Sequence, residues 1–144
     1  MTACALATLG NRALQALREQ RAAQGLRIKL IFFDVDGTLV NTHREVPHSA
    51  ISSIERIRAL KIKTAIASGR PPFACEHLFR ELNIEDAGMF FTGALLYDPA
   101  GDSIIEANPL PGLLAKKFVD AARHYDLHLE LYSDTTYFIE QHTA

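Results

Sequence analysis

The chain has 144 residues, 48% of them hydrophobic and 22% charged, with a formal net charge of −2; by the usual prior this is one domain, able to bury about two-thirds of its unfolded surface. No apolar run approaches the ~18 residues of a membrane span, and the scattered lysines and arginines form no basic stripe, so neither membrane nor nucleic acid is an expected partner. Cys4 and Cys75 stand far apart, with no C-x-x-C and no zinc-spaced histidines, which argues against a disulfide framework or a zinc site, and the lack of a basic leader makes cytoplasmic the expected location.

Leu6, Leu9, Ala13 and Leu17 recur at helical spacing, so residues 5–24 read as an amphipathic helix stopped by Gly25. Residues 28–33 read as a strand, apolar on both faces towards its end, as a parallel strand covered by helices should be. Directly after it comes Asp34-Val35-Asp36-Gly37-Thr38-Leu39. Two carboxylates at the end of a buried strand are costly unless paired, metal-bound or reactive. At i and i+2 they leave the chain on one side, and Gly37 allows a tight turn beside them. An aspartate so placed can attack phosphorus while its neighbour shuttles a proton. The bland alternative is a strand ending in ordinary Asp-Gly turn chemistry. Asn41, in the following loop, either satisfies loop backbone or lines the mouth of the site.

Pro47 suits a first helical turn, with Ile51, Ile54 and Ile57 on the buried side of a helix to about Leu60. Ile62 to Ala67 reads as a second strand, and strand, helix, strand implies a parallel pair with a right-handed crossover. Ser68-Gly69-Arg70 follows, where a phosphate could take bonds from the Ser68 hydroxyl, the Gly69 amide and a helix N-terminus, with Arg70 adding a charged fork; a simple turn is the alternative. Pro71-Pro72 opens another helix, containing Phe73, Leu78 and Leu82, with Cys75 packed inside it. Met89-Phe90-Phe91 reads as a third strand, whose end brings Thr92 and Gly93 to the same edge.

Beyond Ala94 the pattern predicts a hairpin of Leu95–Asp98 and Ser103–Glu106. A helix marked by Leu114, Phe118, Ala121 and Tyr125 follows, and then a strand in which Leu127, Leu129 and Leu131 alternate with His128, Glu130 and Tyr132. The expected division is therefore a helical extension over 1–27, an α/β core over 28–94 and the start of an α+β unit over 95–144.

D-x-D-G-T-L-x-N, a strand ending S-G-R and a strand ending T-G-A together resemble the Cof-type branch of the haloacid dehalogenase superfamily, over residues 28–140. The resemblance implies a partial Rossmann-like parallel sheet core followed by the beginning of a cap. It also implies a Mg²⁺-dependent phosphatase of small phosphorylated metabolites such as sugar phosphates. Asp34 would be the nucleophile and Asp36 the general acid/base. Gly37, Thr38, Ser68 and Gly69 would hold the phosphoryl group, and Asn41, Arg70, Thr92 and Gly93 would contact substrate. Mg²⁺ would bind through the Asp34 carboxylate and the Asp36 backbone carbonyl.

Two departures from the family pattern stand out. Thr92 replaces an asparagine, and the later lysine and G-D-x-x-N-D-like acidic segment do not occur, so the chain is expected to end inside the cap with low activity by itself. A phosphomutase is the nearest rival function. A non-catalytic fragment, self-associating through its incomplete sheet, is the rival from another class, and the D-G-T-L turn argues against a phosphoaspartate receiver domain.

Overall fold

The computed structural model describes residues 15, 16, 19, 20 and 28–140. Of the helix read over 5–24, only Gln15, Ala16, Glu19 and Gln20 are described, all helical, with Gln15 Nε2 donating to Glu19 Oε1 at 3.3 Å. The remainder lies outside the described residues.

Strand β1 (Leu30–Phe33) pairs in parallel with β2 (Lys63–Ile66), Phe33 opposite Ile66. Helix α1 (His48–Ala59) makes the crossover, entered through Pro47 and burying Ala50, Ser53, Ile54 and Ile57. These positions, three and four residues apart, form one stripe of the helix, with Ile54 and Ile57 in the core. Strand β3 (Gly88–Phe90) continues the sheet beyond β2 through a parallel bridge between Ala67 and Met89. Among the described residues β1 has a strand partner on one side only, and Leu30 and Phe32 on it are exposed.

Between β2 and β3 the chain does not pass straight into a long helix. It forms a 3₁₀ turn, Pro72–Cys75, and then a six-residue helix α2 (Glu76–Glu81). Pro71 and Pro72 enter this turn, where their fixed φ suits a first helical position and their missing N–H groups cost no helical bond. The helix N-terminus expected beside Ser68 is therefore displaced to Glu76. Cys75 and Leu78 are fully buried within the core formed by Phe33, Val35, Ile54, Ile57, Ile66 and Phe90.

The hairpin forms as expected, β4 (Leu95–Asp98) against β5 (Ser103–Ala107). Its pairing was not foreseen: β4 runs antiparallel to β3, with Phe90 opposite Leu95 and Gly88 opposite Tyr97. Leu95 joins the core, and Phe79, Phe90 and Tyr97 pack edge-on and stacked at centroid distances of 5.8–6.2 Å. An added Cβ on Gly88 would stand 2.7 Å from the Ile66 carbonyl oxygen, so only glycine lets β3 approach β2 so closely.

Helix α3 (Gly112–His124) follows the linker 108–111, and then a second hairpin pairs β6 (Glu130–Tyr132) with β7 (Tyr137–Ile139). The alternation over 127–132 yields a strand only from Glu130, since Leu127 to Leu129 have no partner for their backbone in this hairpin. Among the described residues no helix is long and apolar enough to cross a membrane.

Candidate active site

The period-two alternation of β1 runs on past its last paired residue: Phe33 and Val35 are buried, Asp34 and Asp36 exposed. Both carboxylates thus leave on one side, at the carboxyl end of the sheet, anchored from below by Val35. The Val35 carbonyl then accepts the amides of Thr38 (3.2 Å), Leu39 (3.0 Å) and Val40 (3.1 Å), wrapping the chain into a tight loop. That reversal requires φ of +74° at Gly37, which glycine adopts without steric cost. Leu39 and Val40 are buried and pin the loop to the core.

Hydrogen bonds between strand tips bring the other motifs to the same edge. The Ala67 amide donates to the Phe33 carbonyl at 2.9 Å, the Ser68 amide to the Met89 carbonyl at 2.9 Å, and the Thr92 amide to the Ser68 carbonyl at 3.2 Å. Ser68 is buried, and its Oγ accepts the Arg70 amide at 3.2 Å. A Cβ on Gly69 would lie 3.5 Å from Thr92 Oγ1, so the Ser68-Gly69 and Thr92-Gly93 segments are in close contact. Phe91 and Thr92 both adopt left-handed backbone, φ 50° and 57°, followed by Gly93 at 95°. Two non-glycine residues in that region are costly and are found where a functional loop is held by its surroundings.

Two candidate side chains bond within the protein. Arg70 directs its fork at Asp36 rather than into open space for a phosphate: Nε to Oδ2 at 3.0 Å and Nη2 to Oδ1 at 2.5 Å. The carboxylate raises the Arg70 pKa still further, by hydrogen bonding first and by its charge as well. Asn41 spends its carbonyl oxygen on the loop, accepting the amides of His43 (2.9 Å) and Glu45 (3.0 Å). This is the loop-satisfying role of the two readings, and asparagine suits it because its amide oxygen imitates a backbone acceptor.

Asp34 accepts no hydrogen bond from a described residue. Together Asp34 and Asp36 offer hard oxygen donors of the kind Mg²⁺ takes, and among the described residues no cluster of three or more His, Cys, Asp or Glu side chains could hold a metal. The arrangement at this edge is an exposed carboxylate, a second carboxylate two residues on, a buried serine and a loop of left-handed backbone.

Residues 31–144 match the family model of haloacid dehalogenase-like hydrolases. A pyridoxal phosphate phosphatase of Escherichia coli, YbhA, is 25% identical over 116 residues, covering 81% of this chain and 43% of its own. Among solved structures, a phosphatase of the haloalkanoate dehalogenase superfamily from Bacteroides thetaiotaomicron is 26% identical with a TM-score of 0.69, over 81% of this chain and 42% of that one. A haloacid dehalogenase-like hydrolase from Bacillus subtilis shares the fold at 21% identity and a TM-score of 0.72, over 80% of this chain and 40% of that one. The chain thus spans about two-fifths of the length of these relatives. With the D-x-D-G-T loop, the S-G-R turn and the third strand tip at one sheet edge, and a family match across 31–144, the chain belongs to the haloacid dehalogenase-like hydrolase family.

Proposed function

We propose that this protein serves a Mg²⁺-dependent phosphatase reaction on small phosphorylated metabolites such as sugar phosphates, through an aspartyl phosphate on Asp34. The observation that carries it is the convergence of Asp34, Asp36, Ser68 and the Thr92 segment at one edge of a parallel sheet, where α/β folds bind ligands. The E. coli relative, a pyridoxal phosphate phosphatase, supports the same substrate class.

In this reading an Asp34 oxygen forms a bond to phosphorus as the ester P–O bond breaks, and Asp36 gives its proton to the departing alcohol oxygen. Water then attacks the aspartyl phosphate and Asp36 takes a proton back, releasing phosphate and restoring Asp34. Ser68 and the amides of Gly69 and Gly93 hold the phosphoryl oxygens, and the Gly37-Thr38 turn closes the loop beneath them. Both Asp36 oxygens accept from Arg70, and each keeps a second lone pair to carry a proton. Asp34 and the Asp36 backbone would hold Mg²⁺, which when bound offsets the charge of the phosphoryl oxygens.

We place the boundary between core and cap in the linker 108–111 rather than at 94/95, because the hairpin β4–β5 is laddered to β3. A second reading, association through the sheet edge, is favoured by the one-sided pairing of β1 and the exposure of Leu30 and Phe32.

The test is Mg²⁺-dependent hydrolysis of p-nitrophenyl phosphate by this chain. Asp34→Asn should abolish turnover. A rate unaffected by Asp34→Asn overturns the assignment.

A further inference from the structure

Helices α1 and α2 pack on one face of the parallel sheet. Phe33, Ile66 and Phe90 belong to the core that also takes Ile54 and Ile57 of α1 and Leu78 of α2. The crossovers from β1 to β2 and from β2 to β3 advance the same way along the sheet, so a right-handed path sets both helices on that side. Strand alternation sends the intervening residues to the other face. There the register gathers an apolar patch: Phe32 stands beside Ala65, Ala67 beside Met89 and Met89 beside Leu96, with Leu30 two residues before Phe32. Leu30, Phe32 and Met89 are exposed at 37%, 37% and 36%. Lys63 beside Leu30 and Glu106 beside Leu96 mark its charged borders.

A parallel sheet is ordinarily covered on both faces. The segment that leads into β1 has the pattern to supply the second cover. Leu6, Leu9, Ala13 and Leu17 lay an apolar stripe along residues 5–24, and its described members Gln15, Ala16, Glu19 and Gln20 are helical and exposed. At 3.6 residues per turn, the bonded pair Gln15 and Glu19 falls on the side away from that stripe. Leu26 to Lys29 join Gly25 to β1, a connection of the short kind that turns a helix back along the sheet it enters. From Leu6 to Leu17 the stripe would run roughly 16 Å as a helix. A four-residue strand such as β1 is about 13 Å long, so the two lengths match.

We propose that residues 5–24 dock as a helix across the face of β1, β2 and β3 opposite α1 and α2, with the Leu9, Ala13 and Leu17 stripe on Leu30, Phe32 and Met89. The side is settled by elimination, since α1 and α2 fill the other. The occupant is settled by the tether. A stripe held a few residues from its target meets it at an effective concentration of about millimolar, which a second copy at micromolar concentration does not match. The edge of β1 is a separate surface and stays open. This cover is independent of the chemistry at the strand tips.

Met89 reports on the patch. Dilute hydrogen peroxide passes one oxygen to an accessible thioether, giving the sulfoxide and water, and peptide mass spectrometry reads the product at position 89. In the full chain Met89 should oxidise several-fold more slowly than in Leu9→Asp and Leu17→Asp, whereas Gln15→Asp should match the parent. Photo-crosslinking decides the question independently, including where an aspartate variant loses its near-ultraviolet signal. With p-benzoylphenylalanine in place of Leu17, the full chain should crosslink within itself to Leu30, Phe32 or Met89; in place of Gln15 it should not. An unchanged Met89 rate in folded aspartate variants overturns the proposal. So does a position-17 probe that reaches α1 or α2, joins two chains into a dimer, or finds no partner.

Discussion

Arg70 and Asp36, 34 residues apart in sequence, are joined by two parallel hydrogen bonds of 3.0 and 2.5 Å. Such a bidentate fork orients a carboxylate as well as attracting it, which is why a lysine would not be equivalent. The pair is nonetheless open to water, with the Asp36 side chain 65% exposed. Screening and side-chain entropy leave exposed ion pairs with little net stability.

Replacing Arg70 with alanine should therefore lower unfolding stability by no more than about 1 kcal/mol, the upper range of exposed pairs. Urea denaturation of the two proteins measures this. A loss of several kcal/mol would show that Arg70 is a structural strut and that its grip on Asp36 is incidental to the chemistry.

Gly88 and Gly93 should respond to alanine for different reasons and to different degrees. At Gly88 the new methyl meets the Ile66 carbonyl oxygen at 2.7 Å and the Phe90 ring at 2.9 Å, so β3 must move from β2. Overpacking of this kind costs about 1–3 kcal/mol. Gly93 has open space, and its penalty is the left-handed backbone at φ 95°, about 1–2 kcal/mol. Thermal melts should show Gly88→Ala as the more damaging, with loss of the near-ultraviolet signal of Phe90 and Tyr97. Equal and negligible shifts would contradict the close strand approach.

The Cys75 thiol is fully buried, and burial pushes its pKa up to about 11 from an ordinary 9.0, with Arg70 opposing and Asp36 adding to the rise. The folded state thus keeps a proton that the unfolded chain gives up sooner. Stability from this group is whole below pH 9 and is lost as the pH rises from 9 through 11. Stability measured across pH 8–11 should fall less steeply in Cys75→Ala than in the parent, whatever the offset between the two. In the native protein Cys75 should also resist thiol reagents at pH 8, since almost none of it is thiolate. Parallel pH profiles, or rapid labelling of Cys75 without unfolding, would refute this.

What was legible in the sequence was local in origin. The alternation through Phe33, Asp34, Val35 and Asp36 determined which side the carboxylates leave. The spacing of Ile54 and Ile57 marked the buried face of α1, and the glycine at 37 marked the turn. These depend on side-chain period and backbone sterics, which neighbours within a few residues decide. The alternation of His128, Glu130 and Tyr132 was equally visible, but not that Tyr132 meets Phe91, 41 positions away by number. Nor could spacing show that Arg70 would close on Asp36, that Asn41 would be consumed by its own loop, or that β4 would ladder onto β3. A guanidinium fits a phosphate and a carboxylate alike, and an exposed strand edge accepts either direction of partner. Only the packing of Gly88 against Ile66, and the crossing of strand tips at Ala67 and Met89, decided which of these chemically equivalent partners came within reach.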